Sequence, residues 1–181
     1  QEGTFPLPEA ALDRFLFLIR VDYPAVAEEA EILRRTTGTL QGEVTPVLDG
    51  AQLLRLQGLV RAVPAADSVL EYAVALARAS RPGDPTAPGF VRQWVTWGAG
   101  PRASQNMILA AKARALLHGS FHVSAGDVRA VAPSVLRHRV LTNFAAEAEG
   151  IRPDDVVARL LDTVEANRSA LDGERAAGIG S

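Results

Sequence analysis

One stretch of this chain, Phe15-Leu16-Phe17-Leu18-Ile19-Arg20-Val21, has the near-continuous apolar run of a strand inside a sheet covered on both faces. A single strand cannot stand alone. From Val21 onward the sequence is punctuated as a succession of helices, with proline, glycine and capping residues at their ends. The imbalance predicts a mainly α fold, one strand followed by six or seven helices. The strand's missing partners, and a start at Gln1 in what reads as the middle of a loop, predict a piece of a longer chain. Ahead of the strand, residues 1–8 form a loop by their Gly and two Pro. A short helical turn then runs from Pro8 or Glu9 through Asp13 and Arg14, with an acid at its start as the helix dipole prefers.

The helices are read from their ends. One runs from about Ala25 to Thr37, acidic first and basic at Arg34 and Arg35, with Gly38 as its stop. Thr39 to Pro46 is a connection. Asp49-Gly50-Ala51-Gln52 is a capping box opening a helix to about Val60, with Leu53, Leu56 and Val60 on one face. Pro64 opens the next, with Val69, Tyr72, Ala73 and Leu76 inward, ending near Arg81-Pro82-Gly83. Residues 82–89 are a loop, and Phe90 to Trp97 reads as extended. Pro101 to about His118 is apolar nearly all round, which predicts a central helix. Ser124-Ala125-Gly126-Asp127 resembles a capping box for a short helix carrying Val128 and Val131, which Pro133 should interrupt before a further turn with Val135 and Leu136. The last helix starts at Pro153 with the stripe Val156, Val157, Leu160, Leu161 and Val164. From about Asn167 the chain has no periodicity and reads as a frayed tail.

The segment Trp97-Gly98-Ala99-Gly100-Pro101-Arg102-Ala103-Ser104 is electrostatically odd. Pro101 is suited to a first helical position, but Arg102 places a cation where the helix dipole favours an anion. Either Arg102 is solvated at a cost of a few tenths of a kcal/mol, or an anion nearby satisfies both the guanidinium and the helix N-terminus.

Other residue patterns exclude more than they assign. A net charge of −2 argues against a general nucleic-acid binder. The absence of cysteine removes disulfides and thiolate metal sites. No apolar run approaches the roughly 20 residues of a membrane span and no signal peptide is visible, so a cytoplasmic protein without a membrane span is expected. His118 and His122 are four apart, but Gly119 and Ser120 between them argue against one helix face and a zinc site; no metal ligand is assigned. His138, between Arg137 and Arg139, reads as polar surface, and Trp94 and Trp97 as core or interface packing.

Two segments together carry a resemblance. Glu2-Gly3-Thr4-Phe5-Pro6-Leu7-Pro8-Glu9-Ala10-Ala11-Leu12-Asp13-Arg14-Phe15 resembles the segment after sensor 1 in MoxR-family AAA+ ATPases, and Gly98-Ala99-Gly100-Pro101-Arg102-Ala103-Ser104 is similar to that family's sensor 2 motif, in which Gly100 is more often Ser. Tyr23-Pro24, the run Pro133 to Arg139, and Ala146-Glu147-Ala148-Glu149-Gly150 match in order and spacing. The resemblance implies the C-terminal part of such a protein, a helical lid bundle following the last strand of a P-loop core. It divides the chain into the end of the core over 1–37, a connecting segment and helix over 38–60, a lid over 61–166 and a flexible tail over 167–181.

The resemblance also implies roles. Arg14 matches the arginine finger, which reaches the γ-phosphate bound by a neighbouring subunit, and Arg102 matches sensor 2, which contacts nucleotide phosphates. ATP and Mg²⁺ are the implied cofactors, although the Walker A loop, Walker B acids and sensor 1 Asn are not in this chain, which alone should be inactive. The implied assembly is a ring, usually hexameric, that remodels or matures client proteins, often with partners carrying von Willebrand factor A domains, and without nucleic acid. Alternatives are another AAA+ class such as a chelatase subunit, or a non-enzymatic helical interaction module.

Overall fold

The computed structural model describes residues 7–38 and 45–178. In chain order the elements are α1 (Glu9–Leu12), α2 (Val26–Thr37), α3 (Gly50–Ala62), α4 (Asp67–Ala79), α5 (Gly89–Trp94), β1 (Val95–Trp97), α6 (Pro101–Leu117), α7 (Ala125–Leu136), β2 (Leu141–Thr142), α8 (Phe144–Ala148) and α9 (Pro153–Gly178). The fold is mainly α, as the sequence predicts. Two compact units divide it: one takes the described residues up to Leu18 together with those from Val60 on, the other is Ile19–Leu59.

The first unit is a bundle built on α4, α6, α7 and α9. Helix α6 packs against both α4 and α7 and buries Ala103, Met107, Ala110, Ala111 and Ala115. Four of those five are alanines, so the neighbouring helices approach a surface with little side-chain relief. The predicted stripe of α9 is buried in full, from Val156 to Val164, and so are Val69, Tyr72, Ala73 and Leu76 of α4. Helix α6 stops where Gly119 takes φ +73°, with Ser120 N–H donating to the Ala115 carbonyl (2.8 Å) and Gly119 N–H to that of Leu116 (3.0 Å). This paired closure needs a left-handed residue, and it parts His118 from His122. Strands β1 and β2 pair antiparallel, Val95 opposite Thr142 and Trp97 opposite Leu141.

The second unit contains α2 and most of α3. The Ala25 N–H is held by Glu28 Oε2 (2.8 Å), and Glu31 pairs with Arg34 and Arg35 one turn on. Asp49 and Gln52 exchange side chain to backbone bonds of 2.6 and 2.7 Å, forming the capping box that opens α3. Leu53 and Leu56 are exposed.

Four expectations are corrected. Phe15 to Val21 forms no strand: its backbone bends at Phe15 and Leu16 and then takes no regular secondary structure, and among the described residues no strand lies beside it. An apolar run supplies the side-chain pattern of a strand but not the ladder of backbone bonds that stabilises one. Instead Leu18 N–H donates to the Ser134 carbonyl (2.9 Å). Phe90 to Trp97 is helical to Trp94 and extended only over β1. Pro133 lies inside a continuous α7. Its missing N–H and ring clash cost about 3 kcal/mol, and burying Val135 and Leu136 beyond it returns about 1.5–3 kcal/mol for each. Finally α9 stays helical to Gly178 instead of ending near Asn167. The Thr39–Pro46 connection and the loop over 1–8 fall largely outside the described residues.

Candidate functional site

The start of α6 is fixed from the end of α4. Ser80 Oγ accepts from the Ala99 N–H (2.9 Å) and donates to the Ala77 carbonyl (2.7 Å), so one buried hydroxyl ties the loop before α6 to the last turn of α4. Arg81 Nε donates to the Ala99 carbonyl (2.8 Å). The loop lies so close that a Cβ on Gly98 would sit 2.3 Å from the Ser80 carbonyl oxygen. Gly98 is therefore required by backbone approach, whereas a Cβ on Gly100 would meet nothing within 4 Å. The serine that similar motifs carry at that place would fit. Pro101 occupies the first turn of α6, and no side chain caps the helix.

Arg102 follows in that turn, with its side chain 47% exposed. It is not simply solvated. Its Nη1 donates to Asp13 Oδ2 at 2.5 Å, so the anion that answers the awkward cation is a carboxylate of this chain. Asp13 terminates α1, its N–H donating to the Glu9 carbonyl (2.9 Å), and Arg14 N–H donates to that of Ala11 (3.1 Å).

The other oxygen of Asp13 belongs to Arg139. This side chain is 1% exposed and meets four acceptors. Nε donates to Asp13 Oδ1 (2.9 Å), Nη2 to the carbonyls of Asp13 (2.7 Å) and Phe15 (2.6 Å), and Nη1 to the Val135 carbonyl in the last turn of α7. A cation at a helix C-terminus is favoured by the dipole. Sequence reasoning missed Arg139. The available signal was its spacing: four residues after Val135, a cation reaches back to a carbonyl that the end of α7 leaves without an N–H partner.

His138 is half-buried, not surface, and its Nε2–H donates to the Phe15 carbonyl (3.2 Å). Burial, then the charge of Arg139, pushes its pKa down and so favours the neutral imidazole. Arg14 projects into solvent, and among the described residues no hydrogen bond or ion pair engages its guanidinium. The structure thus brings Arg102 to the residue beside Arg14 and leaves Arg14 itself outside the network. Beside this network lies a recess of about 310 Å³ lined by Asp13, Trp97, Gly98, Gly100, His138 and Arg139. A larger groove of about 620 Å³, lined by Leu70, Val74, Ile108 and Lys112 among others, does not include these charges. Trp94 packs on Phe90 with Arg159 over both rings, and its Nε1–H donates to Glu149 (3.2 Å); Trp97 is exposed. No group of three or more His, Asp or Glu that could hold a metal occurs among the described residues.

Asp13 carries a pH dependence. Burial raises its pKa, but hydrogen bonds and charge from Arg139 and Arg102 outweigh that and hold the carboxyl below the usual range. A group whose folded pKa is depressed contributes stability that is present above its unfolded value, about 3.9, and lost as pH falls through the folded value. Asp13→Asn should therefore lower the stability of the fold by about 2 kcal/mol at pH 7, the scale of a hydrogen bond to a charged group. As pH falls below about 4 and on through the depressed folded value, its urea midpoint should approach that of the wild type. A gap that persists unchanged at low pH would contradict the assignment.

The AAA lid domain family matches residues 91–160. The chain is 40% identical over 163 residues to chaperone MoxR1 of Mycobacterium tuberculosis, covering 90% of this chain and 43% of that protein. It is 33% identical over 180 residues to protein MoxR of Paracoccus denitrificans, covering 90% and 50%. The crystal structure of a candidate ATPase from Cytophaga hutchinsonii superposes with a TM-score of 0.83 at 31% identity, over 90% of this chain and 49% of that one. The chain spans about half the length of the curated relatives it matches. No described helix is long and apolar enough to cross a membrane.

Proposed function

We propose that this chain, which belongs to the MoxR family of AAA+ proteins and carries their lid domain, serves an ATP-driven ring machine by presenting two arginines to nucleotide phosphate. Arg14 is the arginine finger and Arg102 is sensor 2. The observation that best supports this reading is the Asp13 carboxylate joining the turn that carries Arg14 to the first turn of α6.

Bound ATP supplies the phosphoryl group that is transferred, and Mg²⁺ accompanies it. The residues here suit the phosphate edge alone: an exposed Arg14, a half-exposed Arg102, and the open N-terminus of α6. A guanidinium has five N–H donors, and Asp13 engages Arg102 through Nη1. The remaining donors, with the helix N-terminus behind them, favour an anion. Arg102 therefore reports nucleotide occupancy to the helical bundle, the differential contact that a conformational response requires. Arg14 offsets charge that develops on the phosphoryl oxygens during transfer. The full-length protein is proposed to act as a hexameric ring on client proteins, with a partner bearing a von Willebrand factor A domain.

Arg102→Ala in the full-length protein tests the reading. Loss of a charge-assisted contact of about 1.5–3 kcal/mol should weaken ATP binding roughly tenfold to a hundredfold. Unchanged nucleotide affinity together with unchanged assembly would remove Arg102 from the role.

A further inference from the structure

We infer that Arg139 is a positioning residue for Arg14: its guanidinium grips the main chain on both sides of Arg14 and so fixes the finger turn to the helical bundle. The inference rests on the reading of Arg14 as the finger. Nη2 holds the carbonyls of residues 13 and 15, the two neighbours of Arg14, while Nε holds the Asp13 carboxylate and Nη1 the end of α7. The His138 bond to the Phe15 carbonyl and the Leu18 bond to Ser134 extend the same seam. Helix α1 has only four residues and buries none of them, so the turn has little packing of its own to hold it. Arg139 is 1% exposed and points its donors at this turn and at the end of the helix that leads to it. A displacement of about 1 Å at a catalytic group costs about a hundredfold in rate. A grip on the two flanking peptides therefore controls where a long, otherwise exposed side chain starts from.

Lysine is the discriminating substitution. It keeps the charge but has three donors at one point, against four acceptors spread around a planar fork. Arg139→Lys in the full-length protein is expected to lower kcat for ATP about tenfold or more while leaving nucleotide Kd within about twofold. Hydrogen exchange at the amides of residues 13–15 should quicken, with those of α4 and α6 unchanged. This second measurement decides the matter where turnover is too slow to follow. The inference is overturned if kcat stays within about twofold of wild type while Arg14→Ala lowers it by orders of magnitude. It is equally overturned if kcat and Kd shift together, or if exchange quickens throughout the bundle, because Arg139 is then an ordinary stability residue. If Arg14→Ala itself leaves turnover near wild type, the finger reading fails first, and the exchange result still reports whether Arg139 holds the turn.

Discussion

Replacing Arg14 by Ala in the full-length protein is expected to cut ATP turnover by on the order of 10³–10⁵ while leaving nucleotide affinity nearly unchanged. The expectation separates chemistry from folding unusually well. Arg14 is exposed, and among the described residues its guanidinium has no hydrogen bond or ion pair to lose. Such a substitution should move stability by no more than about 0.5 kcal/mol. A large loss of turnover therefore reads as a lost transition-state contact. Arg14→Lys should recover little, because the ammonium keeps the charge without the planar fork. Steady-state turnover, nucleotide titration and thermal unfolding on the same preparations check all three parts.

Gly98→Ala should give the largest loss of stability among single-atom additions near the site. The new Cβ would lie 2.3 Å from the Ser80 carbonyl oxygen, 2.6 Å from its carbon and 2.7 Å from Arg81 Cα. All three are backbone atoms, so no side chain can rotate away. The loop must move, and it then loses the bonds from Ala99 to Ser80 and from Arg81 to Ala99. Overpacking of this kind costs about 3 kcal/mol at the upper end of its usual range. For a chain of this length that is a fall in Tm of roughly 10 °C. The companion Gly100→Ala, with open space at its Cβ, should stay within about 0.5 kcal/mol of wild type. Equal melting temperatures for the two variants would show that the close approach does not hold in solution. The displaced loop also carries the start of α6, so Gly98→Ala should weaken ATP binding in the direction of Arg102→Ala.

Local chemistry made the helix ends legible in the sequence. Asp49 with Gln52, Ser124 with Asp127, Pro101 and Pro153 each open a helix by satisfying or omitting first-turn N–H groups, and the stripe of α9 follows from helical spacing alone. What depends on distant partners was not legible. The strand pattern over Phe15 to Val21 says nothing of which backbone lies beside it. Pro133 could be weighed only against the burial of Val135 and Leu136, and that burial is a property of the assembled bundle. The same limit applies to the site. The sequence singled out Arg102 because its charge was misplaced in its own helix, but its partner Asp13 lies 89 positions away. Arg139 reaches across 126 positions to the same carboxylate. In the sequence it looked like one of two cations flanking a surface histidine.

The proposed role of Arg14 places it at a nucleotide held by another subunit. The direct test mixes two full-length proteins that are each expected to be inactive, Arg14→Ala and a variant lacking the Walker A lysine that the family implies. The first keeps a competent nucleotide site without a finger, and the second keeps the finger without a competent site. The mixture should turn over ATP faster than the sum of the two alone, because Arg14 of one subunit completes the site of the next. A mixture no faster than that sum would contradict the account.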